Sequence, residues 1–209
     1  MKLHITSRSL LTIVCVMVAV APAMADTLYS NGAPNGNVDA FTINFGFAVS
    51  DSFTCGGSNG CSVEGFNFVT WSLPGDSLTS VEMQLGTSSF GSSYSDQVLS
   101  PSSSTLLFTN PFGFQITEYG FSFSNVGLPE GTSWITLSNA VVNTGGPIYW
   151  DQNSGPSTAF DSGVGSIPSE SFTITGTTNG GETIPEPTSI LLFGSGIFGL
   201  VGVLRRKLL

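Results

Sequence analysis

Residues 41–49 read Phe-Thr-Ile-Asn-Phe-Gly-Phe-Ala-Val, and an apolar side chain stands at every second position of this stretch. A period of two is typical of a β-strand that buries one face and exposes the other. We therefore predict one half-buried strand over residues 41–49. The same period recurs in residues 69–73, 81–85, 112–116, 119–123, 135–139 and 172–174.

Turn-forming residues separate these stretches. Pro-Gly-Asp at residues 74–76 and Pro-Glu-Gly at residues 129–131 are typical of tight turns. The Ser-rich residues 87–105 predict a long loop with one edge strand. No helical period precedes the C-terminal region. The sequence therefore predicts an all-β ectodomain over residues 26–178, a single antiparallel β-sandwich with jelly-roll or Greek-key strand order.

The chain begins with an export signal. A basic start and an apolar run at residues 10–20 precede the small-x-small pair Ala23 and Ala25. This order is typical of a substrate of signal peptidase. We predict that residues 1–25 are a signal peptide and that the exported protein begins at Asp26.

A second apolar segment lies near the C-terminus. Residues 188–204 carry no charge, and as a helix of about 17 residues they reach roughly 25 Å, enough to cross a hydrocarbon core. Arg205, Arg206 and Lys207 follow directly, and such cations resist translocation. We predict a transmembrane helix over residues 188–204 and a basic cytoplasmic tail over residues 205–209. The alternative is an anchor that is never processed.

A linker over residues 179–187 joins the ectodomain to this helix, and it ends in Pro185, Glu186 and Pro187. Proline disfavours helix at and before its position, so the motif is predicted to be extended and exposed. Pro-Glu-Pro, an apolar run with glycines and a basic cluster, in this order, resemble the PEP-CTERM sorting signal of exported proteins in Gram-negative bacteria. The resemblance covers residues 184–209. It implies that an exosortase processes the protein, with Pro185, Glu186 and Pro187 as recognition residues, often in organisms that make exopolysaccharide and biofilm.

The exported region is acidic and has no basic side chain. All 14 acidic residues lie between Asp26 and Glu186, whereas no Lys, Arg or His lies in residues 26–204. Nucleic-acid binding needs clustered cations, so nucleic acid is excluded as a partner. The same inventory excludes Ser-His-Asp sites, Cys-His sites and lysine nucleophiles. Carboxylate chemistry remains, but no two acidic residues form a motif, and we predict that the protein is not an enzyme.

Two cysteines remain after removal of the signal peptide. Cys55 and Cys61 bracket Gly-Gly-Ser-Asn-Gly. In an oxidising compartment such a close pair predicts a disulfide across a tight turn, which contributes roughly 2 kcal/mol of stability. Free thiols are the alternative, and zinc has too few ligands here.

An aromatic block near the end of the ectodomain is the candidate ligand site. Tyr149 and Trp150 could form a platform for a sugar ring, with Asp151 and Asn153 as hydrogen-bonding or Ca²⁺ ligands. The structural alternative is that Trp134 packs between the sheets and Trp150 covers an edge. Apart from this Ca²⁺ alternative, we expect no cofactor or metal.

Three functions are consistent with the sequence. We expect a non-catalytic protein exported across the inner membrane of a Gram-negative bacterium, anchored transiently by its C-terminal helix and finally located at the cell surface or in the extracellular matrix. Its partners are then signal peptidase, an exosortase, the membrane and exopolysaccharide. The first alternative is a lectin-like carbohydrate-binding module, and the second is a carboxylate-based glycoside hydrolase.

Overall fold

The computed structural model describes residues 26–180. The predicted signal peptide, the Pro-Glu-Pro motif, the transmembrane helix and the basic tail lie outside these residues. In the described part of the chain every regular element is a strand, and no helix is long and apolar enough to span a membrane. The thirteen strands are β1 (Asp26–Ser30), β2 (Ala40–Thr42), β3 (Ala48–Cys55), β4 (Cys61–Ser72), β5 (Leu78–Gly86), β6 (Ser95–Leu99), β7 (Ser103–Thr109), β8 (Gln115–Leu128), β9 (Gly131–Val142), β10 (Ile148–Asp151), β11 (Ala159–Asp161), β12 (Gly165–Ile167) and β13 (Phe172–Thr178).

The strands form two antiparallel sheets. In the first sheet the long strand β4 is central: β8 and then β7 lie along one of its edges. Along the other edge β13 pairs with residues 61–68 and β10 pairs with residues 70–72. Strand β1 flanks β13, and β2 flanks β10. The second sheet has the order β12-β11-β3-β9-β5-β6. The prediction of an all-β, antiparallel domain is confirmed for residues 26–180.

The core lies between the two sheets and is rich in aromatic rings. Phe66 of β4 stacks on Phe121 of β8 with ring centroids 4.7 Å apart and planes within 7°. Buried side chains of both sheets join in one cluster, because alternate residues of each strand face the partner sheet. From the second sheet this cluster includes Val49, Phe53, Val81, Met83, Leu85, Ile135 and Leu137.

Residues 41–49 do not form the single strand that their alternation predicts. Strand β2 ends at Thr42 in the first sheet, and β3 begins at Ala48 in the second. Between them Phe45 has φ of 57° and Gly46 has φ of 88°, and the Phe45 ring is 66% exposed. The chain turns here to change sheets, and a left-handed turn is incompatible with continuous strand pairing.

The Ser-rich stretch 87–105 also differs from its prediction. It contains β6, at the edge of the second sheet, and the start of β7, at the edge of the first. All residues of β7 are exposed. Small polar residues usually indicate a loop. They are tolerated in edge strands as well, because such strands bury little surface.

Two glycines with similar backbone angles provide a test of the turn at the disulfide. Gly60 has φ of +80° and Gly75 has φ of +89°. A Cβ on Gly60 would collide with the backbone oxygen of Leu128, whereas a Cβ on Gly75 meets nothing within 4 Å. We expect Gly75→Ala to cost about 1 kcal/mol for the left-handed backbone alone, and Gly60→Ala to cost roughly 1–3 kcal/mol more. Urea unfolding of the two variants measures the difference, and equal costs would contradict the close approach at Gly60.

Candidate functional site

The structure places Trp150 in the core and Trp134 outside it. Trp150 of β10 is 0% exposed and lies between the sheets, edge-on to Phe68 and Phe172, with its Nε1 donating to the Ser171 carbonyl at 2.9 Å. A sugar ring cannot reach it, so a platform that includes Trp150 is contradicted. Trp134 of β9 is half-buried and packs against Phe160, outside the core. The structural alternative, with Trp134 between the sheets and Trp150 at an edge, is therefore wrong as well.

Tyr149 and Asp151, the neighbours of Trp150 in the predicted platform, lie in different environments. Tyr149 points to the opposite face of the first sheet and packs edge-on to Phe114 at 5.9 Å. Asp151 is fully buried, and its carboxylate accepts hydrogen bonds from Asn35 N at 2.8 Å, Gly36 N at 2.7 Å and Trp71 Nε1 at 2.6 Å. Burial raises the pKa of Asp151, and these three donors partly offset that effect.

Asn153 joins three loops. Its Nδ2 donates to the carbonyl of Asn31 at 2.6 Å, and its Oδ1 accepts from Gly155 N at 3.0 Å and Ser169 Oγ at 2.8 Å. Within residues 26–180 no group of three or more His, Cys, Asp or Glu side chains is placed to hold a metal ion. Ca²⁺ binding at Asp151 and Asn153 stays a prediction.

A buried acidic network links the two sheets, and the sequence interpretation missed it. Asp51 of β3 accepts from Ser52 N at 2.6 Å, Glu170 N at 2.7 Å and Asn31 Nδ2 at 3.3 Å. Asn31 Nδ2 also contacts Ser157 Oγ and the Glu170 carbonyl, both at 2.6 Å. Burial raises the pKa of Asp51 to about 7, although the hydrogen bonds lower it.

Glu170 is the most isolated acid of this network. Its side chain is 0% exposed, and among residues 26–180 neither carboxyl oxygen has a hydrogen-bond partner. Burial, followed by the charges of four carboxylates, raises its pKa well above the usual range, which favours the protonated form. The four carboxylates belong to Asp51, Asp151, Asp39 and Asp161.

A cleft of about 540 Å³ lies beside this network, where Trp134 and Phe160 of the second sheet meet Tyr29 of β1. Its other walls consist of Phe53, Pro156 and five hydroxyl-bearing residues, and none of them carries a charge. The period of β9 places Trp134 opposite in phase to Ile135 and Leu137, so the sequence did hold the signal for its outward position. The hydroxyl-bearing residues of the walls are Ser52, Thr54, Thr132, Ser157 and Thr158.

The disulfide turn marks the end of the domain from which the chain continues to its C-terminus. Cys55 and Cys61 form a disulfide in the structure and are buried. Asn59 N donates to the Asn179 carbonyl at 3.1 Å, and Asn179 N donates to the Gly60 carbonyl at 2.8 Å. The last described residues are therefore fixed against this turn.

The domain and its C-terminal continuation together define a class of protein: an all-β domain followed by a sorting signal. The family model of the PEP-CTERM protein-sorting motif matches residues 183–207. The chain thus carries a PEP-CTERM sorting motif, which confirms the resemblance. No curated protein matches the chain. The motif implies export, processing by an exosortase, and targeting to the cell surface or the extracellular space.

The other sorting residues lie outside the described part of the chain. They are the signal-peptidase pair Ala23 and Ala25, and the cations Arg205, Arg206 and Lys207. The roles predicted for them stay predictions.

The buried acids predict an unusual dependence of stability on pH. Well below pH 4, Asp51 and Glu170 are protonated in both the folded and the unfolded state. As the pH rises, the unfolded chain releases these protons while the folded domain retains them. The free energy of unfolding should therefore fall, by a few kcal/mol in order of magnitude, until the pH passes the raised pKa values, which for Asp51 is about 7.

Glu170→Gln isolates the contribution of one acid. We expect it to raise the free energy of unfolding at pH 7.5, to change little at pH 4.5, and so to flatten the pH dependence. Glu130→Gln removes the same charge at an exposed position and is the matched control. Urea unfolding at both pH values makes the comparison, and equal slopes for Glu170→Gln and the parent protein would contradict the buried, unpaired state of Glu170.

Asp151→Asn should have the opposite sign. The amide group offers one oxygen and turns an NH₂ toward one of the three N–H donors, which leaves a buried donor unpaired. We expect a loss of roughly 2–3 kcal/mol at pH 7. Thermal or urea unfolding of the mature protein measures it, and an unchanged midpoint would show that the Asp151 contacts contribute nothing.

Proposed function

We propose that the protein is a non-catalytic component of the cell surface or extracellular matrix, delivered through the exosortase route and associated with exopolysaccharide. The observation that carries the proposal is the family match over residues 183–207, which begins directly after the folded domain. An extended chain spans at most about 3.5 Å per residue, so the five steps from Gly180 to Pro185 cover roughly 17 Å. The domain therefore stands close to the recognition motif during processing.

The chemistry of the domain supports a non-catalytic role. Its sequence offers no His, Lys or Arg in residues 26–180. Asp51, Asp151 and Glu170, whose environments perturb their pKa values most among its acids, are all 0% exposed. A glycosidase needs two carboxyl groups that reach the glycosidic bond from solvent. Asp51 and Asp151 accept hydrogen bonds that hold loops together, which suits a structural role instead.

The localisation supports the association with polysaccharide. A protein targeted to the cell surface or beyond it meets secreted glycans at high local concentration. Its net negative charge repels other polyanions and its own copies, which favours a neutral partner. The uncharged cleft at Trp134 provides a surface for such a partner.

The sorting signal is tested by expression with and without an exosortase, followed by intact-mass measurement of the C-terminus. With the enzyme present, we expect the parent protein to lose its hydrophobic tail. Glu186→Ala should retain the tail because it removes the acidic residue between the two prolines. Glu182→Ala removes an equal charge from the linker outside the motif and should be processed normally.

Two results would contradict this proposal. A tail retained by the parent protein in both strains would leave the unprocessed anchor as the explanation. Sugar release from extracted exopolysaccharide by the purified mature protein would contradict the non-catalytic role.

A further inference from the structure

Trp134 is surrounded by small side chains on its face of the second sheet. Its neighbours on that face along β9 are Thr132 and Thr136, and its cross-strand partners are Ser52 of β3 and Gly86 of β5. None of these residues has a side chain large enough to cover an indole ring. Trp134 is half-buried and lines the cleft, so part of its indole ring stays available to a ligand.

Hydrogen bonds within the protein fix the part of the cleft wall next to Trp134. Thr158 N donates to Ser52 Oγ at 2.9 Å, and Ser52 N donates to the Thr158 carbonyl at 3.1 Å. Ser157 Oγ lies 2.6 Å from Asn31 Nδ2, inside the buried network. These bonds fix the loop at residues 157–158, which lines the same cleft as Trp134, and fixed walls reduce the entropy that is lost when a ligand binds.

The aromatic residues add flat apolar surface to this frame. The Phe160 ring centroid lies 5.8 Å from that of Trp134, with the planes tilted by 45°. At the far end Tyr29 donates its hydroxyl to Asn31 Oδ1 at 2.9 Å, which fixes the direction of its ring. The cleft therefore combines ring faces with hydroxyl groups.

The chemistry of these walls selects the ligand. An anion would find no Lys, Arg or His in residues 26–180 and would meet a field of carboxylates. A purely apolar ligand would cover hydroxyl groups without pairing them, which costs free energy. A neutral sugar has C–H faces for Trp134 and Phe160 and hydroxyl groups for the walls. We propose that this cleft binds a segment of neutral polysaccharide, an inference that rests on the proposed association with exopolysaccharide and names its site.

Calorimetric titration of the mature protein, purified from the producing cells, tests the site. The probes are cellohexaose, maltohexaose, and the neutral and uronic-acid fractions of the exopolysaccharide of those cells. We expect saturable binding of at least one neutral probe and weaker binding of the acidic fraction. Trp134→Ala should lower the affinity about tenfold or more, the loss of roughly one aromatic stacking contact. Trp134→Phe should restore part of it.

Phe112→Ala is the matched control. Phe112 is 65% exposed and stacks on Trp71 of the first sheet, away from the cleft. It should bind like the parent protein, and thermal unfolding checks that both variants fold.

Unchanged affinity in Trp134→Ala would overturn the proposed site, whatever the result for Phe112→Ala. Absence of binding to every neutral probe would also overturn the proposal. Because the mass of the C-terminus is measured separately, a failure of sorting is distinguished from a failure of the cleft.

Discussion

A buried carboxylate in this domain has no basic side chain to pair with, because residues 26–180 contain none. Asp51 and Asp151 are stabilised instead by N–H donors of the backbone, of Asn31 and of Trp71. Each such bond fixes a loop, since its donor must point inward at a definite position. The hydrogen bonds that stabilise the two buried carboxylates therefore also fix the loops that supply the donors.

Asn31 shows how far this order extends. Its amide reaches Asp51 of the second sheet, the carbonyl of Glu170 before the last strand, and Ser157 in the wall of the cleft. One side chain thus couples the buried acids to the surface where Trp134 lies. The arrangement explains why a long irregular connection such as residues 152–158 holds a defined shape without secondary structure.

Much of the fold could be predicted from the sequence, because alternation with a period of two is a local property. The limits are equally physical. Residues 41–49 keep their alternation through a turn, and only pairing partners decide that the chain changes sheets there. The phase of β9 indicates an outward position for Trp134, whereas the size of its ring favours burial, and the structure follows the phase. No local feature of the sequence indicates that Glu170 is buried, since its burial depends on contacts distant in sequence.

The pairing of β1 with β13 has a consequence for the order of events during export. Asp26 lies opposite Gly176, so the first and last strands of the described domain are neighbours. The last strand also covers most of one edge of β4. Until it emerges from the translocation channel, that long edge is open to pairing with other chains. The sorting motif at residues 183–207 follows this strand within a few residues, so the sheet cannot be completed until the chain has been exported almost as far as the motif.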